Sequence, residues 1–367
     1  MARKIRVGVL FGGKSAEHEV SLLSARNVID AIPREKYEII PIGIDKGGLW
    51  HLNHDIKFLH AARSPRDARL ALAPESIALV PGREAQLMSL DNSENDRTVD
   101  VIFPVLHGPF GEDGTVQGLL KLADIPFVGA SVLGSAVGMD KDVMKRLLRD
   151  AGIPSPKFKT FYKLSQAIAG FSDVERELGI PCFIKPANLG SSVGIGKAHN
   201  QAEYEKAVED AFQYDQKILV EEFVPCREIE CAVLGNEEPI ASIPGEIIPT
   251  HEFYDYEAKY IDENGARLEI PAKITPEIAK RVQDLAIETF KTLCCEGMAR
   301  VDCFLRTTDN AVFVNEINTI PGFTKISMYP KMWEATGITY TDLIDRLIQL
   351  ALERHASEKR LKTSVEL

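Results

Sequence analysis

The chain has 367 residues, 45% hydrophobic and 26% charged, the make-up of a folded protein too long for one small core, so two or three domains are expected. A formal net charge of -11 speaks against a nucleic-acid partner, which would need a basic face, although local lysine and arginine clusters can still hold a small anion. There is no apolar run of about 18 residues, no long apolar leader and no CxxC spacing among six cysteines, so the expectation is no membrane association, no secretory signal and reduced thiols.

Residues 5–11 read as a buried strand. Gly12 and Gly13 follow, and Ser15 is the expected N-cap of a helix with Glu17 and Glu19 in its first turn, running towards Ala31. A strand over 38–44 precedes a polar region reaching about Asp96. The strand over 99–106 runs into His107-Gly108 and the turn GPFGEDG. A short helix over 115–123 and a strand over 126–128 close the unit. This alternation predicts a parallel sheet with functional loops at strand C-terminal ends. Residues 140–151 (DKDVMKRLLRDA) form a helix that stops before Pro154.

Strands are expected at 183–185 and 218–223, around the loop GSSVGIGK, and a third unit begins at Pro225-Cys226. Thr275-Pro276-Glu277 is a helix start with a cap, a proline in the first turn and an acid against the dipole. Ile278, Val282, Leu285, Ala286 and Leu293 give it one apolar face. A last helix over about 341–355 buries Leu343, Ile344, Leu347, Leu350 and Ala351, and the tail from Ser357 is polar.

Two strand-like runs, 298–305 and 312–317, flank Thr307-Thr308-Asp309-Asn310 and predict a hairpin. Alternation puts Arg300 with Asp302 on one face, and Glu316 with Asn318 on the other strand's matching face. A turn centred on Asp309 would pair Asp302 with Glu316 and Arg300 with Asn318. Directly opposed carboxylates repel, so a positive charge is needed between them. A hard cation held by oxygens fits, and magnesium commonly takes one or two carboxylates plus substrate phosphates. The plainer alternative is a solvated polar face with Arg300 as counter-charge.

Gly190-Ser191-Ser192-Val193-Gly194 follows a strand containing Lys185; small residues allow a polyphosphate close to backbone N–H groups, with Lys185 and Lys141 as fixed positive charge. Glu221 and Glu228 flank a strand end and could take an adenine amino group and ribose hydroxyls, or be plain surface charge. Gly8 to Ser15 (GVLFGGKS) formally matches the G-x-x-x-x-G-K-[ST] phosphate loop. That reading is rejected, because Gly8 lies inside the strand that Val9, Leu10 and Phe11 continue.

GGKSAEHEVS, HGPFGEDG, KPANLGSSVG, YDYEAKY, RVDCFL and NEINTIPGFTKISMYP occur in this order. Together they resemble the D-alanine–D-alanine ligases of the ATP-grasp superfamily, from about residue 5 to 355. The resemblance implies a mixed α/β and α+β architecture: an N-terminal parallel-sheet α/β domain (1–135), then two α+β domains gripping ATP (136–225 with the phosphate loop, 226–367 with the metal site and a lid loop). It implies that Glu17, bonded to Ser191 and Tyr260, holds the first D-alanine's ammonium, with His107 near that substrate and the phosphate. Lys141, Lys185 and Ser192 would contact ATP phosphates and Lys259 the transferring one. Glu221, the Val224 backbone and Glu228 would hold adenine and ribose. Asp302, Glu316 and Asn318 would bind two magnesium ions, with manganese able to substitute. Arg300 and the Gly322 N–H would stabilise the oxyanion, and Ser327 and the Met328 N–H would take the second carboxylate. Glu222, Met328 and Leu189 depart from common family residues without touching these roles.

The implied reaction activates the first D-alanine as an acyl phosphate, which the second D-alanine attacks as a free amine; the loops at 190–194 and around Tyr260 are expected to close over ATP. By resemblance, the product serves peptidoglycan precursor synthesis in a bacterial cytoplasm and the enzyme is a homodimer, with no nucleic-acid or membrane partner. Two alternatives stay open: a related ligase with D-lactate or D-serine as acceptor, against which Tyr260 in EAKY argues, and a non-catalytic ATP-binding regulator, against which the intact metal set and Arg300 argue.

Overall fold

The structure is a computed structural model that describes residues 3–53, 55–62, 64–71, 75–82, 86–90, 97–164, 170–191, 193–249 and 265–362. The first sheet comprises β1 (Ile5–Gly12), β2 (Tyr37–Ile44), β3 (Trp50–Leu52), β4 (Ser76–Leu79), β5 (Gln86–Ser89), β6 (Arg97–Thr98) and β7 (Val101–Val105). Their order is β6-β5-β4-β3-β2-β1-β7. Only β1 pairs in parallel, with β2 on one side and β7 on the other; from β2 outward to β6 every pairing is antiparallel. The expected parallel sheet is therefore the core of a mixed one. The outer strands hold two to four residues each, too few for a period-two pattern to stand out in a polar stretch. The strand expected at 126–128 is reduced to an isolated parallel bridge between Ile102 and Phe127.

Gly8 sits within β1, where a Cβ would come 2.5 Å from Ile102 Cδ1. This glycine serves close packing of the sheet, as the rejection of the phosphate-loop match requires. Helix α1 (His18–Ala31) starts later than expected: Glu17, not Ser15, occupies the N-cap position, and its carboxylate caps no helix N–H. Ser15 Oγ instead donates to the His107 carbonyl at 2.6 Å and accepts from the Glu17 N–H at 3.1 Å.

After α2 (Lys57–Ala61) and α3 (Thr115–Leu122) comes α4 (Val132–Met139), which the sequence does not announce because two glycines weaken its helical propensity. Both are needed for close approach. A Cβ on Gly134 would meet the Cys294 carbonyl oxygen at 2.5 Å, and one on Gly138 would meet Thr319 Cγ2 at 2.9 Å. Helix α5 (Lys141–Asp150) follows directly, capped by the Asp140 carboxylate on the N–H groups of Asp142 and Val143.

The second sheet is antiparallel, ordered β10 (Gly196–Ala198), β9 (Cys182–Pro186), β11 (Lys217–Glu222), β8 (Phe158–Tyr162), with helices α6 (Phe171–Leu178) and α7 (Gln201–Ala211) on its own core of Phe161, Val174, Ile184, Tyr204 and Val220. The third runs β15 (Ala266–Glu269), β14 (Gly245–Pro249), β12 (Cys226–Gly235), β16 (Gly297–Arg306), β17 (Val312–Asn318), with β13 (Ile240–Ala241) paired to β12. Helix α8 (Pro276–Thr292) backs it, starting as expected from Thr275 and Pro276 and burying Val282, Leu285, Ala286 and Phe290.

The last helices, α9 (Met328–Ala335) and α10 (Tyr340–Glu358), tie the first and third sheets into one core. Val7, Val9 and Phe103 from the first sheet share a cluster with Ala232, Leu234 and Met298 from the third and with Trp333, Leu347 and Ile348. Phe323 stands at its centre, edge-on to Phe103 at 5.9 Å and to Tyr329 at 5.7 Å between ring centroids. Offset and edge-on aromatic pairs of this kind add about 0.5–1.5 kcal/mol each beyond area burial.

Candidate active site

The hairpin of β16 and β17 pairs Asp302 with Glu316 and Arg300 with Asn318. Below that level the ladder is out of step with a turn centred on Asp309, since Cys303, Phe304 and Leu305 face Val314, Phe313 and Val312. Asn315 is the extra residue that brings Asp302 opposite Glu316, a β-bulge beside the site. The buried residues along β17 are Val312 and Val314, then Ile317. That change of parity is the signal of the bulge, and it leaves Asn315 and Glu316, two consecutive residues, both outside the core.

On the other side of β16, β12 sets Glu230 opposite Asp302. Three carboxylates, Glu230, Asp302 and Glu316, thus lie side by side on adjacent strands. Two cations offset them. Arg300 grips Asp302 with both ends of its fork, Nε to Oδ1 at 2.7 Å and a terminal nitrogen to Oδ2 at 2.8 Å, and reaches Glu230 at 3.0 Å. Burial opposes the Arg300 charge, but Asp302 and Glu230 hold its pKa well above the ordinary value. Lys141 Nζ lies 3.4 Å from Glu316 Oε2. Asn318 donates its amide to Asp302 Oδ2 at 2.9 Å. Arg300 is thus the counter-charge of Asp302.

The lysines come from the other wall. Lys141 opens α5, and its Nζ donates to the Leu189 carbonyl at 2.8 Å, next to the glycine-serine loop. Lys185, on β9, donates to Glu221 Oε2 at 2.7 Å and to Asn315 Oδ1 at 3.5 Å. Burial works against the Lys185 ammonium, yet Glu221, Glu316 and Glu228 raise its pKa. Glu221 is 1% exposed, so it is no surface charge. A third lysine, Lys145, lies 3.3 Å from its other oxygen. Burial opposes the ionised Glu221, and Lys145 and Lys185 together hold its carboxyl below the ordinary value. Glu228 lies on β12 between Phe304 and Ile247, and Val224 is buried just after β11.

The far end of the cleft belongs to the first sheet. Ser191 Oγ donates a short hydrogen bond to Glu17 Oε1. Two glycines cradle the same carboxylate: a Cβ would stand 2.6 Å from Glu17 Oε2 at Gly108, where φ is +74°, and 3.3 Å from it at Gly190. His107 is buried, with Nδ1 3.1 Å from the Ile320 carbonyl and Nε2 3.1 Å from Ser24 Oγ. A carbonyl can only accept, so Nδ1 carries the proton and Nε2 accepts from Ser24. Burial lowers the His107 pKa. Glu112 accepts from the Gly108 N–H at 2.8 Å and the Ile320 N–H at 3.3 Å, and burial beside Glu17 pushes its carboxyl up to about 8.

Ile320 belongs to the turn after Asn318 that carries Gly322. A Cβ on Gly322 would come 2.7 Å from Ser327 Oγ, so the two residues are in contact. Ser327 precedes α9 without capping it, leaving the Met328 end of that helix available to an anion. Ser192, Lys259 and Tyr260 lie outside the described residues. Lys145, Asn315, Glu230, Ser24 and Glu112 join the constellation without having been singled out from sequence. Lys145 carried a usable signal, a charge one helical turn from Lys141 on the face of Met144 and Leu148. Ser24 carried none.

A first α/β unit, with two antiparallel sheets meeting through opposed lysines and carboxylates, defines the ATP-grasp class of fold. Comparison with known proteins narrows this. The family descriptions "D-ala D-ala ligase N-terminus" and "D-ala D-ala ligase C-terminus" match residues 6–130 and 147–349. The chain is 54% identical, over 98% of its length and 99% of the relative's, to a D-alanine--D-alanine ligase of Oceanobacillus iheyensis. Among solved structures, the D-alanine-D-alanine ligase from Coxiella burnetii is 40% identical with a TM-score of 0.86, covering 98% of this chain and 97% of that one. The VanG D-Ala:D-Ser ligase from Enterococcus faecalis is 38% identical with a TM-score of 0.84, covering 95% and 100%. The chain belongs to the D-alanine–D-alanine ligase family.

Proposed function

We infer that this chain joins two D-alanines into D-alanyl-D-alanine at the expense of ATP, through an acyl phosphate, for peptidoglycan precursor synthesis. The observation that carries the reading is the meeting, in one cleft, of Lys141 and Lys185 with the hairpin acids Asp302 and Glu316, in a chain of this family. A carboxylate at neutral pH has no leaving group; transferring a phosphoryl group to it creates one. Such transfer depends on positioning and charge neutralisation, which fixed lysines supply.

Glu17 receives the ammonium of the first D-alanine, held in place by Ser191 and by the bare backbone at Gly108 and Gly190. His107, neutral in its fixed tautomer, lies beside that amino acid. Lys141, Lys185 and the backbone and hydroxyl of the described part of 190–194 take the phosphates; the phosphate roles expected of Ser192 and Lys259, and the hydrogen bond expected of Tyr260, fall on residues outside the described ones. Glu221, the Val224 backbone and Glu228 take adenine and ribose. Arg300 and the Gly322 N–H meet the oxyanion formed when the second amine attacks. Ser327 and the Met328 N–H, at a helix N-terminus, take the second carboxylate.

Among the described residues there is no cluster of three or more His, Cys, Asp or Glu suited to a metal. The hairpin offers two carboxylates and one amide instead, an all-oxygen set that suits a hard cation completed by phosphate oxygens. Asp302, Glu316 and Asn318 would hold two magnesium ions, or manganese in their place. When bound, these neutralise phosphate charge. Arg300, beside Asp302, is the cation that would face the oxyanion.

No described helix is long and apolar enough to cross a membrane. A cytoplasmic homodimer, divided at 1–135, 136–225 and 226–367, completes the reading. The test is ADP release that depends on D-alanine, with the product analysed when D-alanine, D-serine and D-lactate compete as acceptors. Dominant depsipeptide or D-alanyl-D-serine would overturn the choice of acceptor. ATP binding without D-alanine-dependent ADP release would replace the enzyme by a nucleotide-binding regulator.

A further inference from the structure

Lys145 stands where a packing residue is expected. It lies on the buried face of α5 between Met144 and Leu148, both fully buried, and is itself 0% exposed. Among the described residues its Nζ meets no well-aligned acceptor; its nearest partner is Glu221 Oε1, 3.3 Å away, and burial lowers its pKa while Glu221 opposes that. An ammonium has three donors, and burying it with none of them satisfied is costly. A methionine or leucine of similar length would fill the same space without that cost. Departures of this kind concentrate at functional positions.

Glu221 sits between two cations, Lys185 on Oε2 at 2.7 Å and Lys145 on Oε1 at 3.3 Å. Lys185 also faces Asn315 across the cleft, so it is placed to turn towards phosphate. Among the described residues Lys145 forms its ion pair with Glu221, and Glu221 is the acid its charge acts on most, ahead of Glu316.

We propose that Lys145 is the positioning residue of the nucleobase pocket: it keeps Glu221 ionised and oriented as a pure acceptor, so that the site selects a purine bearing a 6-amino donor over one bearing a 6-oxo acceptor. The proposal rests on the assignment of Glu221 to the adenine contact. An ionised carboxylate accepts from N–H groups and repels a carbonyl oxygen, whereas a protonated or rotated one tolerates either. Lys145 thereby sets specificity without touching the base.

The test compares ATP with ITP, which differ at that position, in D-alanine-dependent nucleoside diphosphate release. Lys145→Met is expected to raise KM for ATP by about tenfold and to shrink the ATP-over-ITP preference in kcat/KM by a similar factor, as loss of a charge-assisted contact implies. KM for D-alanine should stay within about twofold, because the residue lies at the nucleotide end. Glu221→Gln, which can donate to a 6-oxo group, should by itself narrow or invert the preference. In that background Lys145→Met should no longer alter it. Where Lys145→Met does not fold, Lys145→Gln is read in its place with the same expectations.

An unchanged preference in Lys145→Met or Lys145→Gln, with Glu221→Gln altering it, overturns the role of Lys145 alone. An unchanged preference in Glu221→Gln overturns the underlying assignment of Glu221. An equal loss with ATP and ITP, persisting in the Glu221→Gln background, reduces Lys145 to a structural residue and also overturns the proposal.

Discussion

Ser191 donates a hydrogen bond to Glu17 across 174 residues of sequence, joining the loop of the second sheet to the start of the first helix. Glu17 sits at an N-cap position yet caps nothing, because its carboxylate turns away from the helix towards that serine. An acid at a helix start is usually a dipole partner worth about 0.3–1 kcal/mol. Here the side chain accepts from Ser191 instead. Glu17→Gln should therefore raise KM for the first D-alanine by about 10–100-fold while KM for ATP moves little, since a buried charge-assisted contact to the substrate amine is lost. Steady-state kinetics at saturating ATP checks this; a D-alanine KM near that of the parent would remove Glu17 from the substrate site.

Gly108→Ala probes the same carboxylate from behind. The new Cβ would press to 2.6 Å from Glu17 Oε2, on a backbone with φ of +74°. Strain of that sort costs about 1–3 kcal/mol. We expect a lower melting temperature and a D-alanine KM raised more than the ATP KM. A variant as stable as the parent and kinetically silent would show that the cradle does not hold Glu17.

Glu316→Gln separates folding from metal chemistry. It removes one of three neighbouring carboxylates and a 3.4 Å pair with the buried Lys141; relieved repulsion and the lost pair offset each other, so stability should change by about 1 kcal/mol or less. The turnover should fall by at least about 100-fold, and the magnesium demand should rise. Chelation should abolish ADP release by the parent, and manganese should restore it. A variant with normal turnover at low magnesium would exclude Glu316 as a ligand.

Glu112 supplies a pH signature. Burial beside Glu17 raises its carboxyl to about 8, from an ordinary value of 4.5. Between these values the folded state holds a proton that the unfolded chain releases, so this contribution is complete below the lower value and is lost as pH rises to the upper one. Glu112→Gln removes it. The melting temperature of unliganded variant minus parent should become more positive from pH 5 to pH 8. A difference independent of pH would mean that Glu112 is ionised throughout.

Much of this was legible because it is local. The strand–glycine–helix start at residue 5, the Thr275-Pro276 helix start and the alternation that pairs Asp302 with Glu316 depend on short-range geometry. The pairing of Asp302 with Glu316 came out as expected even though the turn lies closer than assumed, because the bulge at Asn315 adds the missing residue. Ordered motifs then identified the family. The extra strands between β2 and β7, and α4, were hidden because two- to four-residue strands and glycine-bearing helices carry weak local signals and are held by their neighbours.

The sequence by itself determined the chemistry on offer: which acids, lysines and glycines stand in which motif, and that they belong to a ligase of D-amino acids. Only the tertiary structure decided who faces whom. That Arg300 spans Glu230 and Asp302, that Glu221 lies between two lysines, and that the Ile320 carbonyl fixes the tautomer of His107 all depend on elements brought together by a core shared between the first and third sheets. The physical reason is that charge pairing and desolvation act over a few ångströms of space, whatever the distance along the chain.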